Sequence, residues 1–317
     1  MPTLVLSRDL PFRAGFSFEQ AAPGWDIRTV AFGRSARPEE LRAACQGADA
    51  LITMLSDRID ADFLAACPSL RVVANYAVGY DNLDLAAAAR AGVVLTNTPD
   101  VLTEATADFT WALLLAVARR LGEGERLVRA GQWRGWTPEL LLGTELGGRT
   151  LGIVGLGRIG RAVARRAAGF GMRVIASGRA GGADGDVARV PLPELLAQAD
   201  VVSLHCPLTP ATRGLIDAAA LARMKPGAIL LNTARGACVD DGALAAALER
   251  GHLGGAGLDV FVDEPRIDPR LLAAPRIVLA PHLGSATTTA RVRMAELCIS
   301  AVRDVLSGVV PPNQVRP

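Results

Sequence analysis

Side chains with complementary chemistry follow three separate apolar runs in the second half of the chain. Arg235 comes shortly after "ILLN", and His282 comes directly after "IVLAP". Two acids accompany them, because Asp259 ends the run "AGLD" and Glu264 lies in the loop after it. A guanidinium holds a carboxylate by a two-pronged contact, and an imidazolium donates a proton to a carbonyl oxygen. With an acid to orient the imidazole, this set could reduce a 2-oxo acid.

The other two histidines have different sequence settings. His205 ends the run "VVSLH", where it would either line a cofactor crevice or pack in the core. His252 lies in "ERGHLGG" at the end of a predicted helix, where we expect a favourable interaction with the helix dipole. No set of His, Cys and Asp residues has the spacing of metal ligands, so we predict no metal site.

A glycine-rich turn, Gly155-Leu156-Gly157-Arg158-Ile159-Gly160, separates the apolar run "RTLGIV" from the helical segment "GRAVARRAAGF". In a dinucleotide-binding unit the first glycine permits the tight turn, and the second lets the backbone approach a pyrophosphate. The third allows close packing of helix on strand. The pyrophosphate lies at the helix N-terminus, which favours negative charge. This turn therefore predicts a nicotinamide dinucleotide site.

The end of the next strand indicates which dinucleotide is bound. NAD-binding units carry an acid about 20 residues after the fingerprint, where it bonds the ribose 2′-hydroxyl. Here the strand ends in Ser177, Gly178 and Arg179, and no acid follows until Asp184. Because Arg179 could hold a 2′-phosphate by a charge-assisted bond, we predict a preference for NADP(H) over NAD(H).

Composition excludes several classes of protein. The chain has 317 residues, 50% hydrophobic and 21% charged, and a formal net charge of +2. These values give no reason to expect a nucleic acid or a membrane as partner. Lys225 is the one lysine, which disfavours Schiff-base chemistry. The cysteines form no CxxC motif and indicate reduced thiols in a cytoplasmic protein: Cys45, Cys67, Cys206, Cys238 and Cys298.

Short apolar runs alternate with helical periodicity along the chain, which predicts an α/β fold. We expect two doubly wound, Rossmann-like or flavodoxin-like domains, each with a parallel sheet, and a cleft between them. Residues 1–99 and 287–317 would form the substrate-binding domain, and residues 100–286 the inserted dinucleotide-binding domain. Two long helices are predicted at Thr103–Arg129, loosened at Gly122 and Gly124, and at Thr287–Ser307. Predicted strands are Thr3–Leu6, Ala50–Thr53, Arg71–Ala74, Val93–Thr96, Thr150–Val154, Arg173–Ala176, Val201–Leu204, Ala228–Leu231, Gly255–Leu258 and Ile277–Leu279.

Six segments in consistent order resemble those of the D-isomer-specific 2-hydroxyacid dehydrogenases. They are "NYAVGYDNLD", "LGIVGLGRIG", "LHCPLTPAT", "NTARGACVD", "GLDVFVDEP" and "APHLGSAT". Within that family they are most similar to glyoxylate/hydroxypyruvate reductases. The resemblance covers nearly the whole chain. It implies NAD(P)-dependent reduction of a small 2-oxo acid by hydride transfer, with His282 as acid/base, Glu264 as its supporting carboxylate and Arg235 as substrate-binding cation.

The resemblance also implies roles for other residues. Backbone N–H groups near Val78 and Gly79 would bind the substrate carboxylate. The further substrate-site positions are Leu55, Ser285 and Trp136, beside Arg235 and His282. The cofactor site would comprise the turn from Gly155 to Gly160 together with Thr106, Gly178, Arg179, His205, Pro207, Thr212, Thr233, Ala234, Arg235, Asp259, His282 and Gly284.

The loop "GQWRGWTPELLLG" carries Trp133 and Trp136, and the resemblance places this region at a homodimer interface of the dinucleotide-binding domain. Local core packing is the alternative for both tryptophans. Alternative activities also remain. They are dehydrogenation of D-3-phosphoglycerate, of another D-2-hydroxy acid or of phosphite. A more distant one is a non-enzymatic, NAD(H)-sensing role like that of the related corepressors.

Overall fold

The computed structural model describes residues 1–11, 18–178 and 187–317. Its strands, in chain order, are β1 Thr3–Leu6, β2 Asp26–Thr29, β3 Ala50–Thr53, β4 Val72–Asn75, β5 Val94–Thr96, β6 Thr150–Val154, β7 Arg173–Ser177, β8 Ala188–Arg189, β9 Val201–Leu204, β10 Ile229–Asn232, β11 Gly255–Leu258, β12 Ile277–Leu279 and β13 Gln314–Val315. Its α-helices are α1 Phe18–Ala21, α2 Pro38–Ala44, α3 Ala61–Ala66, α4 Leu85–Ala91, α5 Thr103–Ala118, α6 Leu121–Arg129, α7 Arg158–Ala167, α8 Leu192–Gln198, α9 Ala218–Arg223, α10 Asp241–Glu249, α11 Pro269–Ala273 and α12 Thr288–Leu306.

The chain forms two compact units. The first unit comprises Met1–Leu102 and Ala286–Pro317, and the second comprises Thr103–Ser285. The sheet of the first unit has the order β13-β5-β4-β3-β1-β2. Its strands are parallel except β13, which pairs antiparallel with β5. The central strands β3 and β4 are buried at every position, as parallel strands covered on both faces must be.

The sheet of the second unit has the order β12-β11-β10-β9-β6-β7-β8 and is parallel throughout. The order reverses beside β6, and ligands bind open α/β sheets at such a switch point. The two sheets confirm the predicted fold class. The strands β2, β8 and β13 were not predicted, because their residues ("DIRT", "AR" and "QV") form no apolar run.

The long helix predicted from Thr103 to Arg129 is two helices. The prediction placed its weak point at Gly122 and Gly124, but both glycines lie inside α6. The chain breaks instead at Arg120, whose φ of 51° is left-handed. The side chain of Arg120 bonds both carboxylate oxygens of Glu123, at 3.0 and 2.7 Å, which stabilises this break.

Aspartates cap several of the helices. Asp60, Asp84, Asp217 and Asp240 each accept a hydrogen bond from the backbone N–H three residues later. Such caps satisfy donors that a helix leaves unpaired at its first turn.

At the amino ends of the second unit's strands, Asp200 accepts bonds from the Thr150 N–H at 2.8 Å and from the Lys225 ammonium at 3.1 Å. These bonds tie β6 and the turn before β10 to the start of β9. Within the described residues, no helix has the length and apolar content that crossing a bilayer requires.

Candidate active site

His282 and Glu264 form a direct pair at the carboxyl ends of β11 and β12. The His282 Nδ1–H donates to Glu264 Oε2 at 2.8 Å. Both side chains stay about one-third exposed, at 32% and 36%. His282 has a φ of 56°, which is uncommon for a residue with a Cβ, so the turn must hold it there.

Glu264 is held at both oxygens. Its Oε1 accepts a bond from the Phe261 N–H at 3.0 Å, while Oε2 accepts the bond from His282. Burial alone raises the pKa of this carboxyl. The hydrogen bond and charge of His282, the Phe261 N–H and the charge of Arg235 outweigh that cost, so the pKa lies below its usual value. Glu264 is therefore a carboxylate at neutral pH.

Asp259 holds the turn that carries His282. Its carboxylate accepts bonds from the N–H groups of Leu283 at 2.6 Å and Gly284 at 2.7 Å, and its carbonyl accepts the His282 N–H at 3.0 Å. Burial raises the pKa of this carboxyl despite the two backbone bonds. Of the two acids that the sequence offered, Glu264 contacts the imidazole and Asp259 fixes its backbone.

Arg235 follows β10, and Asn232 fixes its loop. The Asn232 side chain donates to the Arg235 carbonyl at 2.8 Å and accepts the Ala234 N–H at 3.0 Å. The next residue, Gly236, lies directly on the loop of Glu264. A Cβ added to Gly236 would come within 1.9 Å of the Phe261 carbonyl carbon. The loops of Arg235 and Glu264 are therefore in backbone contact.

The glycine-rich turn has the geometry that the fingerprint predicts. Gly155 has a φ of 96° and lies against the end of β9, where a Cβ would be 2.7 Å from the Cys206 nitrogen. A Cβ on Gly160 would be 2.3 Å from the Gly155 carbonyl oxygen, so this glycine permits the close packing. Among the described residues, a Cβ on Gly157, the N-cap of α7, would meet nothing within 4 Å. None of them covers the N-terminus of α7 at this glycine.

The cofactor-selecting segment is only partly described. Ser177 is buried at the end of β7, and Gly178 has a φ of 134°. Arg179 lies outside the described residues. The structure adds a second cation that the sequence did not indicate, because Arg189 on β8 donates to the Gly178 carbonyl at 3.3 Å.

The remaining predicted cofactor positions are spread over α5 and the carboxyl ends of the second unit's strands. Thr106 is buried on α5, and a Cβ on Gly284 would be 3.3 Å from its Cγ2. Thr110 lies between them and β10, since its hydroxyl bonds the Thr106 carbonyl and the Thr233 hydroxyl. Thr212 donates to the Pro207 carbonyl at 2.6 Å, which closes the loop after β9.

His205 differs from His282 although both follow strands of one sheet. Its Nε2 lies 2.8 Å from the Ser203 hydroxyl, and burial lowers its pKa to about 4. It is therefore neutral at physiological pH. His252 Nε2 bonds the Leu221 carbonyl at 3.1 Å, near the C-terminus of α9. The sequence had indicated an interaction with the preceding helix, α10.

Four predicted substrate-site residues lie in two separate places. Leu55, Val78 and Gly79 belong to the first unit, in the loops after β3 and β4, where all three are half-buried. Trp136 lies in the second unit and is 80% exposed. Among the described residues, no group of His, Cys, Asp and Glu could hold a metal ion.

Sequence reasoning missed the residues that act on the backbone rather than on a ligand. They are Asn75, Asn97, Asn232 and Gly236. For Asn75 and Asn232, an Asn that ends a strand, as in "VVAN" and "ILLN", was the available signal.

A protein-family model matches more than half of the chain. The D-isomer specific 2-hydroxyacid dehydrogenase NAD binding domain matches residues 111–284. Among curated proteins, the glyoxylate reductase of Thermococcus onnurineus is 50% identical over 285 residues, 87% of this chain and 85% of that protein. The glyoxylate reductase of Thermococcus kodakarensis is 45% identical over 322 residues, 99% of this chain and 96% of that protein.

Solved structures of related proteins superpose on nearly the whole chain. A Thermus thermophilus protein superposes with a TM-score of 0.93 at 49% identity, covering 99% of both chains. The NADPH-dependent glyoxylate/hydroxypyruvate reductase of Sinorhizobium meliloti, solved with NADP and malonate, superposes with a TM-score of 0.87 at 32% identity. That match covers 99% of this chain and 96% of the other.

Proposed function

The chain belongs to the D-isomer-specific 2-hydroxyacid dehydrogenase family, and on that premise we propose that it reduces glyoxylate and hydroxypyruvate with NADPH. An NAD(P)-dependent oxidoreductase is the class that family and relatives share. The observation that carries the proposal is the 2.8 Å bond between His282 and Glu264. It joins a proton donor to a carboxylate at the edge where open α/β sheets bind ligands.

His282 acts as the general acid. Because Nδ1 is engaged by Glu264, Nε2 is the nitrogen that donates a proton to the substrate carbonyl oxygen. The ionised Glu264 accepts the Nδ1–H and so fixes the orientation of the imidazole. When bound, NADPH would supply hydride to the carbonyl carbon. In the reverse direction, the same nitrogen accepts the hydroxyl proton.

Arg235 binds the substrate carboxylate. A guanidinium offers two parallel N–H donors to one carboxylate, which fixes the 2-oxo acid in orientation as well as position. The bond from Asn232 and the contact of Gly236 with Phe261 fix the loop of Arg235 relative to the loop of Glu264. Because the two loops are fixed, a substrate that binds Arg235 is held in a defined orientation, which favours reaction.

The residues present fit a dinucleotide. Gly157 leaves open space at the N-terminus of α7, a helix of ten residues whose first N–H groups have no intrahelical acceptor. Those groups, together with the helix dipole, would hold the pyrophosphate.

The preference for NADP(H) rests on the end of β7. Ser177 and Gly178 provide no carboxylate to repel a 2′-phosphate, Arg179 follows in sequence, and Arg189 bonds the Gly178 carbonyl. Arg179→Ala should lower kcat/KM for NADPH about tenfold, the size of one charge-assisted contact, and leave that for NADH nearly unchanged. Equal losses with both cofactors would refute the assignment.

The activity test is a substrate panel followed by absorbance of the reduced nicotinamide. Purified protein is mixed with NADPH and, separately, glyoxylate, hydroxypyruvate and 3-phosphohydroxypyruvate, and with NADP⁺ and phosphite. We expect the highest kcat/KM with glyoxylate or hydroxypyruvate. A preference for the phosphorylated acid or for phosphite would replace the proposed substrate. If NADPH is oxidised with none of the 2-oxo acids, a non-enzymatic binding role would be favoured.

We also propose a homodimer through the second unit. Apolar side chains are exposed on α6 and the following loop, including Val128 at 59%, Trp133 at 54%, Trp136 at 80% and Leu142 at 65%. Such a patch is typical of a protein interface. Light scattering after gel filtration should give twice the chain mass. Trp136→Ala should alter the ranking of glyoxylate and hydroxypyruvate if this side chain reaches a substrate.

A further inference from the structure

Three consecutive peptide groups follow β4 in the first unit, and each has its carbonyl oxygen held by the protein. The Ala77 carbonyl accepts the Thr98 N–H at 2.8 Å. The Val78 carbonyl accepts the Asn97 side-chain amide at 2.8 Å, and the Gly79 carbonyl accepts that of Asn75 at 2.8 Å. One backbone and two side-chain donors therefore fix the rotation of three successive peptide planes.

A fixed carbonyl also fixes the N–H on the same peptide. In a planar trans peptide the two groups point in opposite directions. The N–H groups of Val78, Gly79 and Tyr80 are thus turned away from Thr98, Asn97 and Asn75. Within residues 1–11, 18–178 and 187–317, these three N–H groups donate to no protein acceptor. Val78 and Gly79 are half-buried and Tyr80 is 41% exposed, so none of the three residues is enclosed in the core.

The two asparagines are themselves held in place. Asn75 is fully buried. Its side-chain amide forms two hydrogen bonds of 3.2 Å with that of Asn82, donating one and accepting the other. The Asn82 amide also donates to the carbonyls of Met54 at 3.1 Å and Asp57 at 3.0 Å. Asn97 is braced from the other side, because the Asn313 side chain donates to its carbonyl at 2.6 Å.

Asparagine is well suited to hold a backbone carbonyl in a fixed direction. Its amide donates to a carbonyl without adding a charge, whereas the isosteric aspartate would place two negative oxygens against that carbonyl. Backbone N–H groups that lack protein acceptors are an anion-binding element. Their use depends on orientation, and here orientation depends on two side chains.

We propose that Asn75 and Asn97 are positioning residues that aim the N–H groups of Gly79 and Tyr80 at the carboxylate of the substrate. The inference rests on the proposed function only in taking a 2-oxo acid as the ligand. Neither asparagine touches the substrate. Each acts through the peptide whose carbonyl it holds.

The first test is Asn97→Asp, which keeps the shape of the side chain and removes the donor. The Val78 peptide loses its restraint, so KM for glyoxylate should rise about tenfold or more, while kcat changes less than about threefold. KM for NADPH should not change. A general loss of structure would instead lower kcat and the melting temperature. Asn75→Asp is the second variant, acting through the Gly79 carbonyl.

Thr96→Val is the matched control. Thr96 adjoins Asn97, is fully buried, and its hydroxyl has no hydrogen-bond partner among the described residues. Its isosteric replacement changes the same strand without touching the Val78 peptide, so KM for glyoxylate should stay at the wild-type value. An equal rise of KM in Thr96→Val and Asn97→Asp would overturn the proposal.

A binding measurement separates this proposal from the proposed function. Oxalate, a dicarboxylate that cannot be reduced, is titrated calorimetrically into wild type and Asn97→Asp in the presence of NADP⁺. Weaker binding to the variant by about tenfold supports the proposal, even if wild type fails to reduce glyoxylate. Equal binding to both proteins, or no binding to wild type, overturns it even if glyoxylate is reduced.

Discussion

The carboxyl edges of the two sheets are built from different chemistry. In the first unit the loops after β3 and β4 are held by neutral asparagine amides, which donate to backbone carbonyls. In the second unit the corresponding edge carries Arg235, Glu264 and His282, which are charged or titratable. The first edge presents fixed dipoles, and the second presents two charged side chains and an imidazole.

Both edges nevertheless use one device to set their loops. Asp57 accepts the Thr53 hydroxyl at 3.0 Å and the Met54 N–H at 2.7 Å, and Asp259 accepts the N–H groups of Leu283 and Gly284. A buried carboxylate that bonds nearby donors is compensated for its lost hydration. Both units therefore place their loops in the same way. They differ in the side chains at the ends of the strands, and we propose that this difference separates a binding edge from a catalytic one.

The largest effect should come from removing the proton donor of the second edge. His282→Gln retains polarity but has no group that titrates near neutral pH, so kcat for glyoxylate reduction should fall about 10²- to 10⁴-fold. Steady-state rates with saturating NADPH measure it. A loss below tenfold would contradict the proposal that the edge of the second unit supplies the proton donor.

A steric change at the same edge should have the next largest effect. Gly236→Ala places a methyl group where the Phe261 backbone lies, which separates the loops of Arg235 and Glu264. A displacement near 1 Å predicts about a hundredfold loss of kcat/KM for glyoxylate. Gly169→Ala is the control, because a Cβ there meets nothing within 4 Å. Equal activity of the two variants would refute the role of the contact.

Glu264→Gln should have a smaller effect than the two variants above. The neutral amide replaces the carboxylate that accepts the His282 Nδ1–H at 2.8 Å, so the imidazole loses the charged partner that orients it. We expect kcat for glyoxylate reduction to fall about tenfold, the size of one charge-assisted hydrogen bond. Steady-state rates with saturating NADPH measure the change, and a wild-type kcat would contradict the assignment.

The mildest effect concerns acid stability. The pKa of His205 is lowered to about 4, while the unfolded side chain titrates near 6.5. The unfolded state takes up this proton first, so stability falls as the pH drops from about 6.5 to 4, by up to about 3 kcal/mol. Urea unfolding across this range measures the change, and His205→Gln should remove that part of it. An unchanged slope in the variant would contradict burial as the cause.

The sequence predicted the features that depend on residue type and on the spacing of apolar residues and glycines. Apolar runs located ten of the strands to within one residue, and the glycine spacing predicted the turn before α7. The paired His282 and Glu264 follow from chemistry and resemblance together. Their roles, like those of the cofactor positions, stay predictions until the variants are measured.

Other features depend on contacts that no local pattern encodes. The break at Arg120 is stabilised by its side-chain bonds to Glu123, although nearby Gly122 and Gly124 were the residues expected to weaken the helix. The short strand β13 forms because β5 offers an edge. The roles of Asn75 and Asn97 depend on carbonyls 4 and 19 residues away in the chain, so residue type alone did not reveal them.

The bond between Lys225 and Asp200 has a practical consequence. Lys225 carries the chain's one side-chain amine and is 39% exposed, at the amino ends of strands whose opposite ends carry His282 and Arg235. Amine-directed reagents can therefore react with this side chain and with the N-terminal amine. Blocking the N-terminal amine first would leave one defined point for attaching a dye or a solid support. An immobilised preparation would share a single orientation of the second unit, with its reactive edge directed away from the support.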